Sequence, residues 1–210
     1  TCGALAFELK RTEFGHVGIF PEQAANWEWV AARVAAAPQP VAVLNLFAYT
    51  GGTTLAAAAA GAEVVHVDAA RNIVEWARRN AERSGLAERP VRWIVEDAMK
   101  FCKREARRGA QYDAVVLDPP SYGHGRRGEV WRLARDLPRL LVLCAELTAA
   151  RRRFVVLSAH TPRFGPDRLR EMAAAALGDP GPERLTAEAL TLCARDGREL
   201  PSGAVVRWEG

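Results

Sequence analysis

The feature that most constrains this sequence is a regular alternation of short apolar runs with longer segments of helical periodicity. The buried-strand pattern VAVLNLF at Val41–Phe47 is followed at once by an alanine-rich helical segment, Gly52–Ala60. The alternation continues with predicted strands at Glu63–Asp68, Val91–Val95, Tyr112–Asp118 and Arg153–Ser158, and with predicted helices at Ala70–Arg83, Ala98–Arg108, Glu129–Leu147 and Pro166–Leu177. Strands that alternate with helices form right-handed βαβ units, so the pattern predicts a parallel sheet covered on both faces.

Both ends of the chain depart from this alternation. Leu185–Ala194 and Ala204–Trp208 are predicted strands with no long helix between them, which favours a closing antiparallel hairpin. Before the first βαβ unit, Phe7–Arg11 is predicted to be a strand, and Pro21 to open a helix over Glu22–Ala37. We therefore expect an N-terminal extension over residues 1–40, packed on a main domain over residues 41–210. Within the long central helix, Pro138 is expected to cause a kink or a break.

Composition places the chain among ordinary folded proteins. Its 210 residues are 49% apolar and 26% charged, which argues against disorder, and no apolar run is long enough for a membrane span. The first residues lack the pattern of a signal peptide, and the absence of an initiator Met leads us to expect a missing N-terminal part. The four cysteines are far apart, as in a reduced, cytoplasmic protein.

The basic residues allow a polyanionic partner but do not require one. The formal net charge is +4, and all but three of the 29 basic residues are arginine. A group that follows the fourth strand could contact phosphates or form a solvated helix face: Arg126, Arg127, Arg132 and Arg135. The four histidines have no partner at metal-ligand spacing, so no metal site is expected.

Polar residues follow the first four predicted strands. Open parallel sheets bind ligands at the carboxyl ends of their strands. There the chain has the Gly-containing loop Asn45–Gly52, then Asp68, then Glu96-Asp97-Ala98, and finally the rigid Asp118-Pro-Pro turn. Each has a structural alternative, a tight turn or a helix N-cap, but their occurrence at one edge favours a ligand site. The loop is not G-x-G-x-x-G, which disfavours a dinucleotide dehydrogenase.

Together these residues resemble motifs I to IV of the class I S-adenosylmethionine (SAM)-dependent methyltransferases. More narrowly, the Phe-Ala-Tyr-Thr-Gly-Gly loop resembles motif I of the bacterial 23S rRNA cytosine-C5 methyltransferase-like group. The upstream segment Gly18–Gln23 is similar to one that those proteins carry before motif I. The resemblance covers Thr12 to Ser158. It implies a Rossmann-like, seven-stranded α/β sheet, SAM as the cofactor and RNA as the partner, with an N-terminal RNA-binding domain in longer relatives.

The resemblance also implies roles for individual residues. The loop would contact the methionine part of SAM, through Phe47, Ala48, Tyr49, Thr50 and Gly51. Asp68 would hold the ribose hydroxyls, and Asp97 the adenine amino group with Ala98 beside it. Asp118 would face the methyl donor, and Gln23 is a candidate for the amino-acid end of the cofactor.

One departure from the family bears on the chemistry. Cytosine-C5 methylation requires a thiolate, which the family places just after the fifth strand, where this chain reads Leu-Ser-Ala-His-Thr over residues 157–161. The Asp118-Pro119-Pro120-Ser121-Tyr122 loop also resembles the Asn/Asp-Pro-Pro-aromatic loop of amino-group methyltransferases. There Asp118 and the Pro119 carbonyl would orient the acceptor and Tyr122 would stack on a base, although Tyr122 is one place out of register.

We therefore predict a SAM-dependent methyltransferase that acts on RNA through non-covalent alignment of donor and acceptor. A methyltransferase for a protein or small molecule, and a non-catalytic RNA-binding or assembly factor on the same scaffold, are the alternatives. The sequence leaves the target atom and the oligomeric state open.

Overall fold

The computed structural model describes residues 3–12, 15–124, 128, 130–194 and 196–210. The strands are β1 (Ala42–Leu46), β2 (Glu63–Asp68), β3 (Val91–Val95), β4 (Ala114–Leu117), β5 (Tyr122–His124), β6 (Val130–Arg132), β7 (Phe154–Ala159), β8 (Leu185–Cys193) and β9 (Glu199–Glu209). The helices are α1 (Ala24–Ala35), α2 (Gly52–Ala59), α3 (Arg71–Arg83), α4 (Ala98–Arg107), α5 (Leu133–Thr148) and α6 (Pro166–Leu177), and a short 3₁₀ turn, Pro21–Gln23, precedes α1.

Seven of the strands form one sheet in the order β3-β2-β1-β4-β7-β9-β8. Strands β3, β2, β1, β4 and β7 are parallel to one another, while β9 runs antiparallel to both β7 and β8. This confirms the predicted Rossmann-like sheet and its closing hairpin. The strand order reverses between β1 and β4, so the crevice that such sheets use for ligands opens at the carboxyl ends of these two strands.

Helices cover both faces of the sheet because successive side chains of each strand point to opposite sides. On β1, Val43 packs in the cluster that contains Val30 of α1 and Ala57 of α2. Its neighbour Leu44 packs in the larger cluster on the other face, which includes Leu137 of α5. The sheet is therefore fixed on both sides, and its strand ends form a rigid support for the loops at the carboxyl edge.

Two secondary-structure predictions were wrong. Phe7–Arg11 is not a strand, because its backbone groups bond elsewhere: Glu8 N donates to Asn80 Oδ1 at 2.8 Å. The predicted helix from residue 129 begins only at Leu133, because Val130–Arg132 pairs with Tyr122–His124 as a two-stranded ribbon. Asp136 Oδ2 accepts the Arg132 backbone N–H at 2.8 Å and so caps the helix at this later start.

Pro138 lies inside α5, which runs through it without interruption, so no break occurs. The N-terminal segment packs on α3, where Trp76 Nε1 donates to the Glu8 carbonyl at 3.0 Å. A domain boundary at residue 40 stays a proposal. None of the helices within the described ranges is long and apolar enough to cross a membrane.

Candidate active site

A cavity of about 600 Å³ opens at the carboxyl edge of the sheet, beside the switch point. Four strand ends contribute to its wall: Tyr49 follows β1, Asp68 ends β2, Asp97 follows β3 and Asp118 follows β4. Residues that are far apart in sequence therefore meet at one site, as the polar strand ends predicted. The remainder of the wall is largely aromatic and apolar.

The loop after β1 is held in an unusual backbone conformation. Phe47 and Tyr49 have φ values of 54° and 48°, in the left-handed region that non-glycine residues seldom adopt, and Gly51 has a φ of 95°. Thr50 anchors the loop on both sides: its hydroxyl donates to the Gly18 carbonyl at 2.7 Å, and its own carbonyl accepts from Asn80. The surrounding fold thus maintains the strain that turns the loop toward the cavity.

Asp68 connects this loop to the second strand end. Its Oδ2 accepts the Tyr49 N–H at 3.0 Å, and its Oδ1 accepts the Ala70 N–H at the same distance. Burial raises the pKa of Asp68 above its ordinary value, and the backbone donors oppose this shift. Backbone N–H groups of Tyr49, Ala69 and Ala70 thus engage the carboxylate, which still has acceptor capacity for a ligand at the cavity wall.

Asp97 is both a helix cap and a cavity residue. Its Oδ1 accepts the Lys100 N–H at 2.9 Å, which makes it the N-cap of α4. It also lines the cavity together with Ala98, which is buried. The structural and functional interpretations of this residue are therefore compatible.

Asp118 lies at the centre of a polar cluster drawn from three distant parts of the chain. Its Oδ1 accepts the Ser158 hydroxyl at 2.7 Å and lies 3.2 Å from His160 Nε2. Its Oδ2 accepts the Gln23 amide at 3.2 Å. Ser158, near the end of β7, thus donates its hydroxyl to this carboxylate.

His160 carries a positive charge in this cluster. The hydrogen bond to Asp118 raises its pKa to about 9, and burial only partly opposes that shift. The other ring nitrogen, Nδ1, contacts the Ser202 carbonyl of β9 and lies 3.7 Å from Glu22. Asp118 and Ser202 thus offer an acceptor to each ring nitrogen, which favours the imidazolium form, and Gln23 Nε2 also lies 3.2 Å from His160 Nε2.

One aromatic residue of the cavity wall, Trp131 of β6, was missed in the sequence analysis. Trp131 lines the cavity, its ring is 4.9 Å from that of Phe47, and its Nε1 donates to the Pro120 carbonyl at 2.8 Å. Of the two carbonyls in Pro119-Pro120, Trp131 therefore binds that of Pro120 and not that of Pro119. An aromatic residue shortly after the Pro-Pro turn was the available signal, but the segment had been assigned to a helix.

Several predicted site residues are not among the described residues that line the main cavity, and some of them line a smaller cavity that shares Phe47, Tyr49 and Asp118 with it. Gln23, Ala48 and Thr50 line a second cavity of about 50 Å³, and Gly51 caps α2. Tyr122 is 50% exposed and is not among the residues that line the main cavity within the described chain. Arg126 and Arg127 lie outside the described residues.

The three free cysteines of the described residues do not line the main cavity. Cys102 and Cys144 are buried, and a hydrogen bond from Cys144 together with burial raises the pKa of the Cys102 thiol. Cys193 is exposed on β8. The described ranges contain no group of His, Cys, Asp or Glu side chains suited to a metal ion.

Comparison with known proteins identifies the family. Residues 2–185 match the model of the S-adenosylmethionine-dependent methyltransferases. The crystal structure of the SAM-dependent methyltransferase from Agrobacterium tumefaciens is 41% identical, with a TM-score of 0.92 over 98% of this chain and 68% of that one. The chain belongs to the SAM-dependent methyltransferase family. SAM is accordingly its cofactor, as the resemblance implied.

Curated relatives of this chain are longer, and they are named as ribosomal RNA large subunit methyltransferases. Ribosomal RNA large subunit methyltransferase I of Aeromonas hydrophila is 39% identical over 85 residues, which is 40% of this chain and 21% of that protein. Ribosomal RNA large subunit methyltransferase K/L of Pseudoalteromonas atlantica is 33% identical over 137 residues, which is 64% of this chain and 18% of that protein. The chain thus spans only a small part of the length of these proteins.

Proposed function

We propose that this domain binds SAM in the main cavity and transfers its methyl group to RNA. The observation that carries the proposal is the meeting of Asp68, Asp97 and Asp118 at one cavity, in a chain of the SAM-dependent methyltransferase family. An RNA substrate is supported by the names of the ribosomal RNA relatives. A cytoplasmic location remains a prediction.

The donor side of the cavity fits a nucleoside in its chemistry. Asp68 supplies acceptor oxygens for ribose hydroxyls, Asp97 supplies one for the adenine amino group, and Ala98 leaves room beside the ring. The loop from Phe47 to Gly51 would hold the methionine part. When bound, SAM supplies an electrophilic methyl group on a positively charged sulfur.

The acceptor side would act by orientation. Asp118 and the Pro119 carbonyl would accept hydrogen bonds from the acceptor group and align it for in-line attack. Trp131 offers an aromatic face for stacking a base on this side, and Tyr122 remains a proposed second one. A thiolate is not required, and the Ser158 hydroxyl donates to the Asp118 carboxylate, which is too weak a base to turn it into an alkoxide nucleophile.

Methyl transfer to candidate acceptors tests the proposal. The protein is incubated with isotope-labelled SAM and either whole rRNA from a strain lacking the gene, the protein fraction of the same strain, or its small metabolites. Label is expected in rRNA with the wild type and not with Asp118→Ala. Label in the protein or metabolite fraction would contradict an RNA substrate, and SAM binding without any transfer would favour a non-catalytic binding factor.

RNA containing 5-fluorocytosine tests the non-covalent mechanism. We expect no protein–RNA complex that survives denaturing electrophoresis, and we expect Cys102→Ala, Cys144→Ala and Cys193→Ala to retain transfer activity. Burial and the raised pKa of the Cys102 thiol disfavour a thiolate there. A stable band that one cysteine variant abolishes would instead identify a covalent nucleophile.

A further inference from the structure

The carboxylate of Asp118 is connected to the closing hairpin by a chain of three side chains. Arg207 of β9 donates from Nη2 to Asn26 Oδ1 at 2.6 Å. Asn26 of α1 donates from Nδ2 to Gln23 Oε1 at 2.7 Å, and Gln23 donates from Nε2 to Asp118 Oδ2 at 3.2 Å. Residues 23, 26, 118 and 207 thus form one continuous polar path.

Burial makes this path costly to disturb. Asn26 is 1% exposed and Gln23 is 7% exposed, so neither amide can exchange its partners for bulk water. The Arg207 side chain is only 11% exposed and also contacts Glu188 on the neighbouring strand β8. The guanidinium is held through Nη1, on Glu188, and Nη2, on Asn26, while its buried Nε–H has no partner among the described residues.

The chemistry of the two ends fixes the direction of every bond. A guanidinium group has only donors and a carboxylate has only acceptors. Between Arg207 and Asp118, therefore, each amide must present its oxygen toward Arg207 and its nitrogen toward Asp118. The orientation of Gln23, which is ambiguous for an isolated amide, is determined here by a residue 184 positions away in the sequence.

We propose that Arg207, Asn26 and Gln23 form a directed hydrogen-bond relay that positions the Asp118 carboxylate. These three are positioning residues, and only Asp118 belongs to the acceptor side of the cavity. Gln23 then serves the carboxylate rather than the amino-acid end of the cofactor. The relay makes α1 and the closing hairpin part of the site; its effect on turnover rests on the proposed function, whereas its effect on stability does not.

The test reverses the relay. In Asn26→Asp, residue 26 can only accept, so Gln23 must turn its amide and present Oε1 to the Asp118 carboxylate. Adding Asp118→Asn supplies a donor for that oxygen, so the bonds between residues 26, 23 and 118 are satisfied in the opposite direction while Arg207 still donates to residue 26. We expect Asn26→Asp to lower the urea midpoint of unfolding by on the order of 0.5–1 M, and Asp118→Asn to cost less in this background than in the wild type.

A matched control and a second cycle keep the test decisive. Ala25→Asp adds the same charge at an exposed position of α1, and there Asp118→Asn is expected to cost what it costs in the wild type. If Asn26→Asp fails to fold, Gln23→Glu provides a second test. It places a carboxylate directly against that of Asp118, and Asp118→Asn removes this repulsion by replacing one carboxylate with an amide. Equal costs of Asp118→Asn in the wild-type, Asn26→Asp and Gln23→Glu backgrounds would overturn the relay.

Turnover provides the functional arm. Asn26→Asp is expected to lower kcat by about 10- to 100-fold, with the KM for SAM within about threefold, because the misplaced group is the acceptor-orienting carboxylate. The double variant regains stability without regaining turnover, since it lacks that carboxylate. A raised KM for SAM with unchanged kcat would overturn the positioning role. Stability coupling in a protein that transfers no methyl group would leave the relay standing and contradict the proposed function.

Discussion

The two sides of the cavity are built in different ways. On the donor side, Asp68 is held by backbone N–H groups of Tyr49 and Ala70, only 19 and 2 positions away in sequence. On the acceptor side, Asp118 is held by side chains of Ser158 and Gln23, at separations of 40 and 95. The contacts that hold Asp68 are local to the β1–β2 region, whereas those that hold Asp118 form only once β7 and the segment before α1 have packed against β4.

This difference predicts separable consequences for binding and turnover. Changes on the donor side affect the affinity for SAM, since they alter contacts that both ground and transition states make. Changes on the acceptor side affect kcat, because they misalign a group that matters when the methyl group moves. Changes at four residues test and sharpen this comparison, from the largest expected effect to the smallest.

Asp118→Ala is expected to have the largest effect. It removes the acceptor-orienting carboxylate from a preorganised site, and we expect turnover to fall by at least about 100-fold. The dissociation constant for SAM, measured by calorimetry, is expected to change less than in Asp68→Ala. A variant that keeps near wild-type turnover would remove Asp118 from the acceptor side.

Asp68→Ala comes next. Loss of hydrogen bonds to the partly buried ligand is expected to weaken SAM binding by about 10- to 100-fold, which corresponds to about 1–3 kcal/mol. Calorimetric titration measures the change, and circular dichroism checks that the variant is folded. A titration curve that coincides with that of the wild type would remove Asp68 from the donor side.

Asp97 combines two roles that a pair of variants separates. Asp97→Ala removes both the ligand acceptor and the cap of α4, which is worth about 1 kcal/mol of stability. Asp97→Ser keeps a capping oxygen but has a shorter side chain. Weaker SAM binding is expected in both variants, with a lowered unfolding free energy only in Asp97→Ala. Wild-type affinity in Asp97→Ser would mean that capping is the only role.

The change at His160 is expected to have the smallest effect, and it is measured through the pH dependence of stability. Its pKa is raised from 6.5 to about 9 in the folded protein, because of the hydrogen bond to Asp118. The stabilisation is therefore complete below pH 6.5, declines above it and is lost as the pH rises through about 9. We expect the difference in unfolding free energy between wild type and His160→Gln to shrink over this range. A difference that is independent of pH would contradict a charged His160.

The donor side could be largely predicted from the sequence. Strand ends follow from hydrophobic periodicity, and the carboxyl edge of a parallel sheet brings Tyr49, Asp68 and Asp97 together without further information. Asp97 was also considered as a helix cap, and it caps α4 while lining the cavity. Local geometry and sheet topology are sufficient for these residues.

The acceptor side could be predicted only in part. Asp118 follows from its strand, but no periodicity indicates that Gln23 and Ser158 donate to it, because those contacts depend on how α1 and β7 pack. Trp131 was missed for a related reason. The sequence pattern around it does not distinguish a helix from a short strand, and the segment is a strand because it pairs with β5. Contacts between distant segments were beyond the reach of sequence patterns.

A crystal structure of the protein with S-adenosylhomocysteine tests the division of the cavity most directly. The account predicts that the ribose hydroxyls lie within hydrogen-bond distance of Asp68, that the adenine lies beside Asp97 and Ala98, and that the sulfur faces Asp118. Gln23 is expected to remain bonded to Asp118. A nucleoside bound on Asp118, with Asp68 making no contact to it, would contradict the account.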